Sequence, residues 1–108
     1  MILSIVILSY NTKDLTLSCL SALQKLYKEE LENENLEVLV IDNASSDGSY
    51  EALTKFAQDK KGISIIKSTK NLGFGGGNNI GAKKAKGNYI LFLNSDTEAL
   101  DKGFLKMV

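Results

Sequence analysis

Four short runs along the chain are almost continuously apolar, and between them apolar residues recur at helical spacing. The runs are Ile2 to Leu8, Leu36 to Ile41, Ile63 to Lys67 and Tyr89 to Leu93. None alternates strictly between apolar and polar, which is the pattern of strands covered on both faces, as in a parallel sheet. After the first run, Leu15, Cys19, Leu23 and Leu26 fall on one helical stripe, with Ala22 and Tyr27 beside it. Tyr50, Leu53, Phe56 and Ala57 mark a second helix, and Ile80, Ala82 and Ala85 a short third one. Leu100, Phe104, Leu105 and Val108 suggest a fourth. The order β-α-β-α-β-α-β-α predicts an α/β fold: a Rossmann-like three-layer α/β/α sandwich with a mainly parallel sheet of about four strands and right-handed crossovers. The third run is shorter than the first two and is expected near a sheet edge.

Polar punctuation sets the boundaries. Asn11 or Thr12 can cap the first helix, with Asp14 favoured by its dipole. Charge accumulates from Lys28 to Glu37, so that helix should fray within Glu32-Asn33-Glu34-Asn35. Asp47-Gly48 is a turn signal, and Ser46 or Asp47 can cap the second helix, which closes on Lys60-Lys61-Gly62. Gly73, Gly75, Gly76 and Gly77 crowd into five positions, a density expected in neither a helix interior nor a strand. A loop is therefore predicted there, leading into the short helix that stops at Gly87. Its spacing does not meet the dinucleotide fingerprint, which needs a third glycine and a place after the first strand. Such a loop lets backbone approach a ligand or lets a helix N-terminus offer amides to an anion; its plain alternative is a flexible surface loop.

Composition narrows the chemistry. At 108 residues the chain is at most one domain, burying roughly two-thirds of its unfolded surface. Zero formal net charge gives no reason to expect nucleic acid or an anionic membrane as partner. All thirteen basic residues are lysine, and histidine, proline and tryptophan are absent. A phosphate ligand must then be held by backbone amides, lysines or a metal, because no guanidinium fork is available. Cys19 is single and within a helical stripe, so it is expected in the core of a protein from a reducing compartment. The apolar start is too short for a signal peptide or a membrane span, and a cytoplasmic, soluble chain is expected.

Three of the four strands end on polar residues that carry an amide or carboxylate: Asn11, Asp42 and Asp96. In an open α/β sheet the ligand site lies beyond the carboxyl ends of the strands. Asn94-Ser95-Asp96-Thr97 follows the fourth run, and a carboxylate there with an amide two residues earlier can hold a hard divalent cation against a diphosphate. Ser95 with Glu98 is also a capping box, and the two readings are compatible.

Taken together, Val6 to Asn11, Val40 to Gly48, Asn71 to Asn79 and Leu93 to Glu98 resemble the motifs of family-2 glycosyltransferases of GT-A fold, across essentially the whole chain. The Asn-Leu-Gly-Phe-Gly-Gly-Gly-Asn-Asn and Leu-Asn-Ser-Asp-Thr variants look most like the rhamnosyltransferase-type branch. The resemblance implies that Ser9, Tyr10 and Asn11 line a nucleotide pocket, and that Asp42 binds base or ribose with Asn43 and Asp47 near it. It implies that Asn71, Gly73, Asn78 and Asn79 surround the base and sugar side of the donor. Asp96 matches the last carboxylate of the family's Asp-x-Asp motif, which holds Mg2+ or Mn2+. Asn94 replaces the first Asp, and Ser95 lies between them. One carboxylate in place of two implies weaker metal affinity.

By the same resemblance the reaction is an inverting displacement, with dTDP-rhamnose or a UDP-sugar as donor and a saccharide or lipid-linked acceptor. The family's catalytic base lies in the second half of a longer domain, and Glu98 and Asp101, expected within a helix, are poor substitutes. The chain thus reads as an N-terminal donor-binding part with the base beyond Val108, and as membrane-associated, if at all, only through the full-length protein. Its fourth strand should expose an edge or apolar face through which it self-associates. A non-catalytic nucleotide-sugar-binding module is the alternative function. A receiver-like signalling domain fits poorly, because Ser9-Tyr10-Asn11 stands where such domains carry an acidic pair.

Overall fold

The computed structural model describes residues 1–94. Ser95, Asp96 and the helix expected from Glu98 onward lie outside the described residues. Within them run β1 (Leu3–Ser9), α1 (Lys13–Leu26), α2 (Lys28–Glu32), β2 (Leu36–Asp42), α3 (Ser49–Ala57), β3 (Ile63–Lys67), α4 (Gly73–Lys84) and β4 (Tyr89–Asn94). The strands form one sheet in the order β3-β2-β1-β4, every pair parallel. Both the fold class and the edge position of β3 agree with the sequence reading.

The continuous apolar runs are explained by two cores, one on each face. Odd positions of β1 and even positions of β2 (Leu3, Ile5, Ile7, Leu36, Val38, Val40) pack with Cys19, Leu20 and Leu23 of α1, Tyr27 between α1 and α2, Leu31 of α2 and Leu53 of α3. The alternate positions Val6, Leu39 and Ile41 meet Ile80 and Ala85 on the opposite face. Because side chains alternate along a strand, helices on both faces require apolar residues at consecutive positions.

The strand order reverses at β1: β2 lies on one side of it and β4, reached by way of α4, on the other. That reversal is the topological switch point, where the crevice of a doubly wound sheet opens at the carboxyl ends. In register, Ser9 stands beside Asp42, and Leu8 lies between Ile41 and the backbone of Asn94.

Two expectations are corrected. The glycine segment is not a loop, since α4 begins at Gly73 and carries Gly75, Gly76, Gly77 and Gly81 within it. Glycine's helix penalty of about 1 kcal/mol per residue is outweighed by proximity to the sheet. A β-carbon at Gly77 would overlap Leu8, and one at Gly81 would overlap Val6. The stripe on α1 is also rotated. Leu15 is 52% exposed, and the face toward the sheet is Thr16, Cys19, Leu20 and Leu23, continuing to the fully buried Tyr27. A polar residue can sit in that stripe because the Thr16 hydroxyl bonds Ser9 Oγ at 2.9 Å.

Helix caps also differ in detail. The residue before α3 is Gly48 with φ +82°, while Asp47 reaches forward so that Oδ1 accepts the Ser49 amide at 3.0 Å. At the amino edge, Ser4 Oγ donates to Glu37 Oε2 at 2.6 Å and the Lys86 amide donates to the same oxygen at 2.6 Å. The Gly87 amide donates to Ser4 Oγ at 2.8 Å, so a buried polar clasp holds the link from α4 to β4 against the sheet. Among the described residues no helix is long and apolar enough to cross a membrane.

Candidate donor-binding site at the carboxyl edge

The carboxyl ends of β1 and β2 and the start of α4 are tied together by side chains that bond the backbone of a neighbouring loop. Asn11 sits at φ +51°, a left-handed conformation that asparagine tolerates better than most residues. Its amide donates to Ser45 Oγ at 2.9 Å, and its Oδ1 accepts the Ser46 amide at 2.8 Å. Asp47 makes a second tie between the same loops, with Oδ2 accepting the Lys13 amide at 3.2 Å. The Ser49 hydroxyl also donates to Asp47 Oδ1. These contacts hold the Asp47 carboxyl below its ordinary value of 3.8; the Ser49 hydroxyl is the main cause, partial desolvation opposes it, and the Lys13 and Ser49 amides add to it. An open cleft of about 390 Å³ lies here, lined by Asn11, Thr12, Lys13, Asp14, Leu15 and Asp47.

Asp42 ends β2 and is fully buried. Its Oδ2 accepts the Ser45 amide at 3.3 Å, while Oδ1 is buried and has no partner among the described residues. The return of Ser45 toward Asp42 depends on Ala44, which adopts φ +65°. A buried carboxylate oxygen without a partner costs about 1–3 kcal/mol or more, and in a native structure such a group calls for an explanation such as a functional role or a bound water or ion. The next residue, Asn43, is 2% exposed. Its amide spans to the start of α4, donating to Asn71 Oδ1 at 2.9 Å and Gly73 O at 3.1 Å and accepting the Leu72 amide at 2.9 Å.

The residues singled out from sequence therefore occupy different positions. Asn11, Asp42, Asn43, Asp47, Asn71 and Gly73 belong to one bonded assembly. Ser9 is buried, its hydroxyl shared with Thr12 at 3.3 Å and Thr16, and Tyr10 beside it is 48% exposed. Asn78 is half-buried and Asn79 exposed in the second turn of α4. Asn94 ends β4 one register step from Ser9, whereas Ser95 and Asp96 lie outside the described residues. Ser45 has no role in the sequence reading and Ser46 only that of a candidate helix cap, yet both receive or supply the ties at Asn11. Their only signal was their place in the motif, because the partners are 34 and 35 residues away. Phe74, also unassigned, is 64% exposed in the first turn of α4.

A second hollow of about 390 Å³ lies at the amino edge, lined by Met1, Leu31, Glu34, Lys61 and Lys86 among others. Its buried carboxylate, Glu37, is already engaged by Ser4 and the Lys86 amide. The carboxyl edge, at the switch point and with an unpaired oxygen, is the better site.

A parallel sheet whose order reverses at β1 defines a doubly wound α/β class, and comparison with known proteins narrows it. The sequence profile of glycosyl transferase family 2 matches residues 4–108, and the chain belongs to that family. It is 36% identical over 95 residues to the poly(ribitol-phosphate) beta-glucosyltransferase of Bacillus spizizenii, covering 87% of this chain and 14% of that one. Among solved structures, Staphylococcus aureus TarS 1-349 in complex with UDP-GlcNAc superimposes with a TM-score of 0.82 at 26% identity, over 99% of this chain and 30% of TarS. The mannosyltransferase PcManGT of Pyrobaculum calidifontis, in complex with GDP-Man and Mn2+, gives a TM-score of 0.82 at 22% identity, over 95% and 30% of the two chains. The chain thus spans between 14% and 30% of these three proteins. These neighbours share the Rossmann-like fold of the GT-A type; nothing in them singles out a rhamnosyltransferase branch.

Proposed function

We propose that this chain supplies the donor-binding part of an inverting, divalent-metal-dependent glycosyltransferase. The observation that carries the reading is the unpaired, buried Oδ1 of Asp42 within loops stapled at the switch point. Uracil and thymine present an imide N–H and ribose presents hydroxyls, so a UDP- or dTDP-sugar offers the donor this oxygen lacks. UDP-GlcNAc in the TarS complex makes a uridine diphosphate sugar the first choice, with dTDP-rhamnose as the second. Tyr10, Asn71, Asn78 and Asn79 then flank base and sugar. A saccharide, a polyol-phosphate polymer or a lipid-linked sugar serves as acceptor.

Among the described residues no group of three or more Asp, Glu, His or Cys could cage a cation. This suits Mg2+ or Mn2+, which are commonly bound by one or two carboxylates together with substrate phosphates. Asp96, two residues beyond the strand end at Asn94, is the carboxylate we assign to it, and the Mn2+ in the PcManGT complex supports a cation with this fold. When bound, the cation offsets charge on the departing diphosphate. The chain's own residues bind and orient the nucleotide: Asp42 as acceptor, Asn11 and Asp47 by fixing the loop around it. The base that takes the acceptor hydroxyl proton is assigned to sequence beyond Val108, so the 108-residue chain alone should bind donor but transfer sugar poorly. Titration calorimetry with UDP and with dTDP, with and without Mn2+, tests the reading; absence of binding for both nucleotides would overturn it.

A further inference from the structure

The family resemblance implies only that Asn43 lies near the donor, and its hydrogen bonds assign it a more definite task. A side-chain amide offers two N–H donors and an oxygen with two lone pairs. Both donors of Asn43 are used, on Asn71 Oδ1 and Gly73 O, and the oxygen already accepts the Leu72 amide. One lone pair remains, on a residue only 2% exposed. Its backbone amide is also committed, donating to Ser9 O at 2.8 Å. This one residue therefore joins the end of β1, the end of β2 and the first turn of α4.

The turn it holds has little else to fix it. Leu72, the residue before α4, makes no side-chain cap bond, and Gly73 takes φ +74°. A chain of glycines has more conformational freedom to lose than any other sequence. Asn71 cooperates, because its Oδ1 accepts the Gly73 amide at 2.7 Å as well as the Asn43 donor. Two asparagine side chains thus enclose a three-residue turn.

We infer that Asn43 is a positioning residue: it sets the glycine-rich first turn of α4 beside Asp42 so that the donor meets an already ordered surface. The inference rests on the donor-site reading above and adds how the site is assembled. Pre-ordering removes an entropy cost that binding would otherwise bear.

The test pairs amide hydrogen exchange with UDP calorimetry on the 108-residue chain. In Asn43→Ala the Leu72 and Gly73 amides should exchange about tenfold faster, while amides in β1 and β2 stay protected. UDP affinity should fall by about the same factor. If Asn43→Ala does not fold, exchange alone is read in Asn71→Ala without donor: the Gly73 amide, which loses its acceptor, should exchange about tenfold faster, and unchanged exchange there would overturn the inference. Loss of affinity with unchanged exchange at Leu72 and Gly73 would mean direct contact and would overturn the inference. Faster exchange with unchanged affinity would overturn it equally. A wild-type chain that binds neither UDP nor dTDP would defeat the donor-site reading itself, and that result precedes any variant.

Discussion

Gly81 on α4 lies against Val6 on β1 so closely that a β-carbon at position 81 would overlap Val6 Cγ1 and stand 3.2 Å from Cγ2. Val6 is fully buried and β-branched, so it has no free rotamer to retreat into. Gly81→Ala should therefore destabilise the fold by about 1–3 kcal/mol, despite alanine's better helix propensity. Gly75 is in the same helix, but a β-carbon there meets nothing within 4 Å. Gly75→Ala should stabilise by about 0.5–1 kcal/mol. Denaturant midpoints at unchanged slope would show the opposite signs; two shifts of the same sign would refute close packing as the reason for Gly81.

The Asp47 ties predict a defined pH dependence. Its folded-state pKa is depressed, chiefly by the Ser49 hydroxyl and further by the Lys13 and Ser49 amides. Its contribution is complete above the ordinary value of 3.8 and disappears as pH falls through the lower folded value. Asp47→Asn has no such titration. Wild type should thus be the more stable of the two near neutrality, and the gap should close below about pH 3.8. A gap that is constant with pH would show that the carboxylate's charge does not matter. Asp59, depressed by its Lys60 partner, titrates alike in both proteins and cancels.

Ala44 adopts φ +65° where a non-glycine residue is strained, and it does so between Asp42 and Ser45. The left-handed conformation costs an L-residue roughly 1–2 kcal/mol, while glycine adds unfolded-state entropy worth about 0.4–1 kcal/mol. Ala44→Gly should accordingly raise stability by a few tenths to about 1 kcal/mol. Ala44→Val should lower it. Thermal unfolding that ranked valine above glycine would contradict a left-handed residue here.

On β4, Tyr89, Ile90 and Phe92 are 54%, 39% and 45% exposed, and among the described residues the strand pairs only with β1. An apolar edge strand of this kind invites pairing with another chain. We expect the 108-residue chain to associate as its concentration rises, and Phe92→Lys to shift it toward monomer. Sedimentation velocity showing a monomer throughout would remove the expectation.

The strands were legible because apolar runs without alternation have one economical explanation, a sheet covered on both sides. Asn11 and Asp42 were legible as strand ends, and strand ends on the same edge are where such folds bind. Helix α4 was not. Glycine's low helix propensity is a local property, and the contacts of Gly77 and Gly81 with Leu8 and Val6 come from residues about 70 positions earlier. The phase of α1 failed for a related reason: Thr16 faces inward only because the Ser9 hydroxyl is there to meet it. The staples from Asn11, Asn43 and Asp47 were equally hidden, since each joins loops roughly 30 residues apart.

Cation dependence follows from Asp96 as the assigned carboxylate. Mn2+ should strengthen UDP binding, and chelation should reverse the gain. Asp96→Ala should leave only the metal-independent affinity. An identical Mn2+ effect in the variant would mean that another group holds the ion.

UDP titration of wild type and Asp42→Ala decides whether the buried carboxylate ending β2 receives the nucleotide. Wild type should bind, and the variant should lose at least about tenfold in affinity, as expected for a hydrogen bond to a charged group, while its unfolding midpoint stays equal or rises. Equal affinity in the two proteins would mean that Asp42 takes no part in holding the nucleotide.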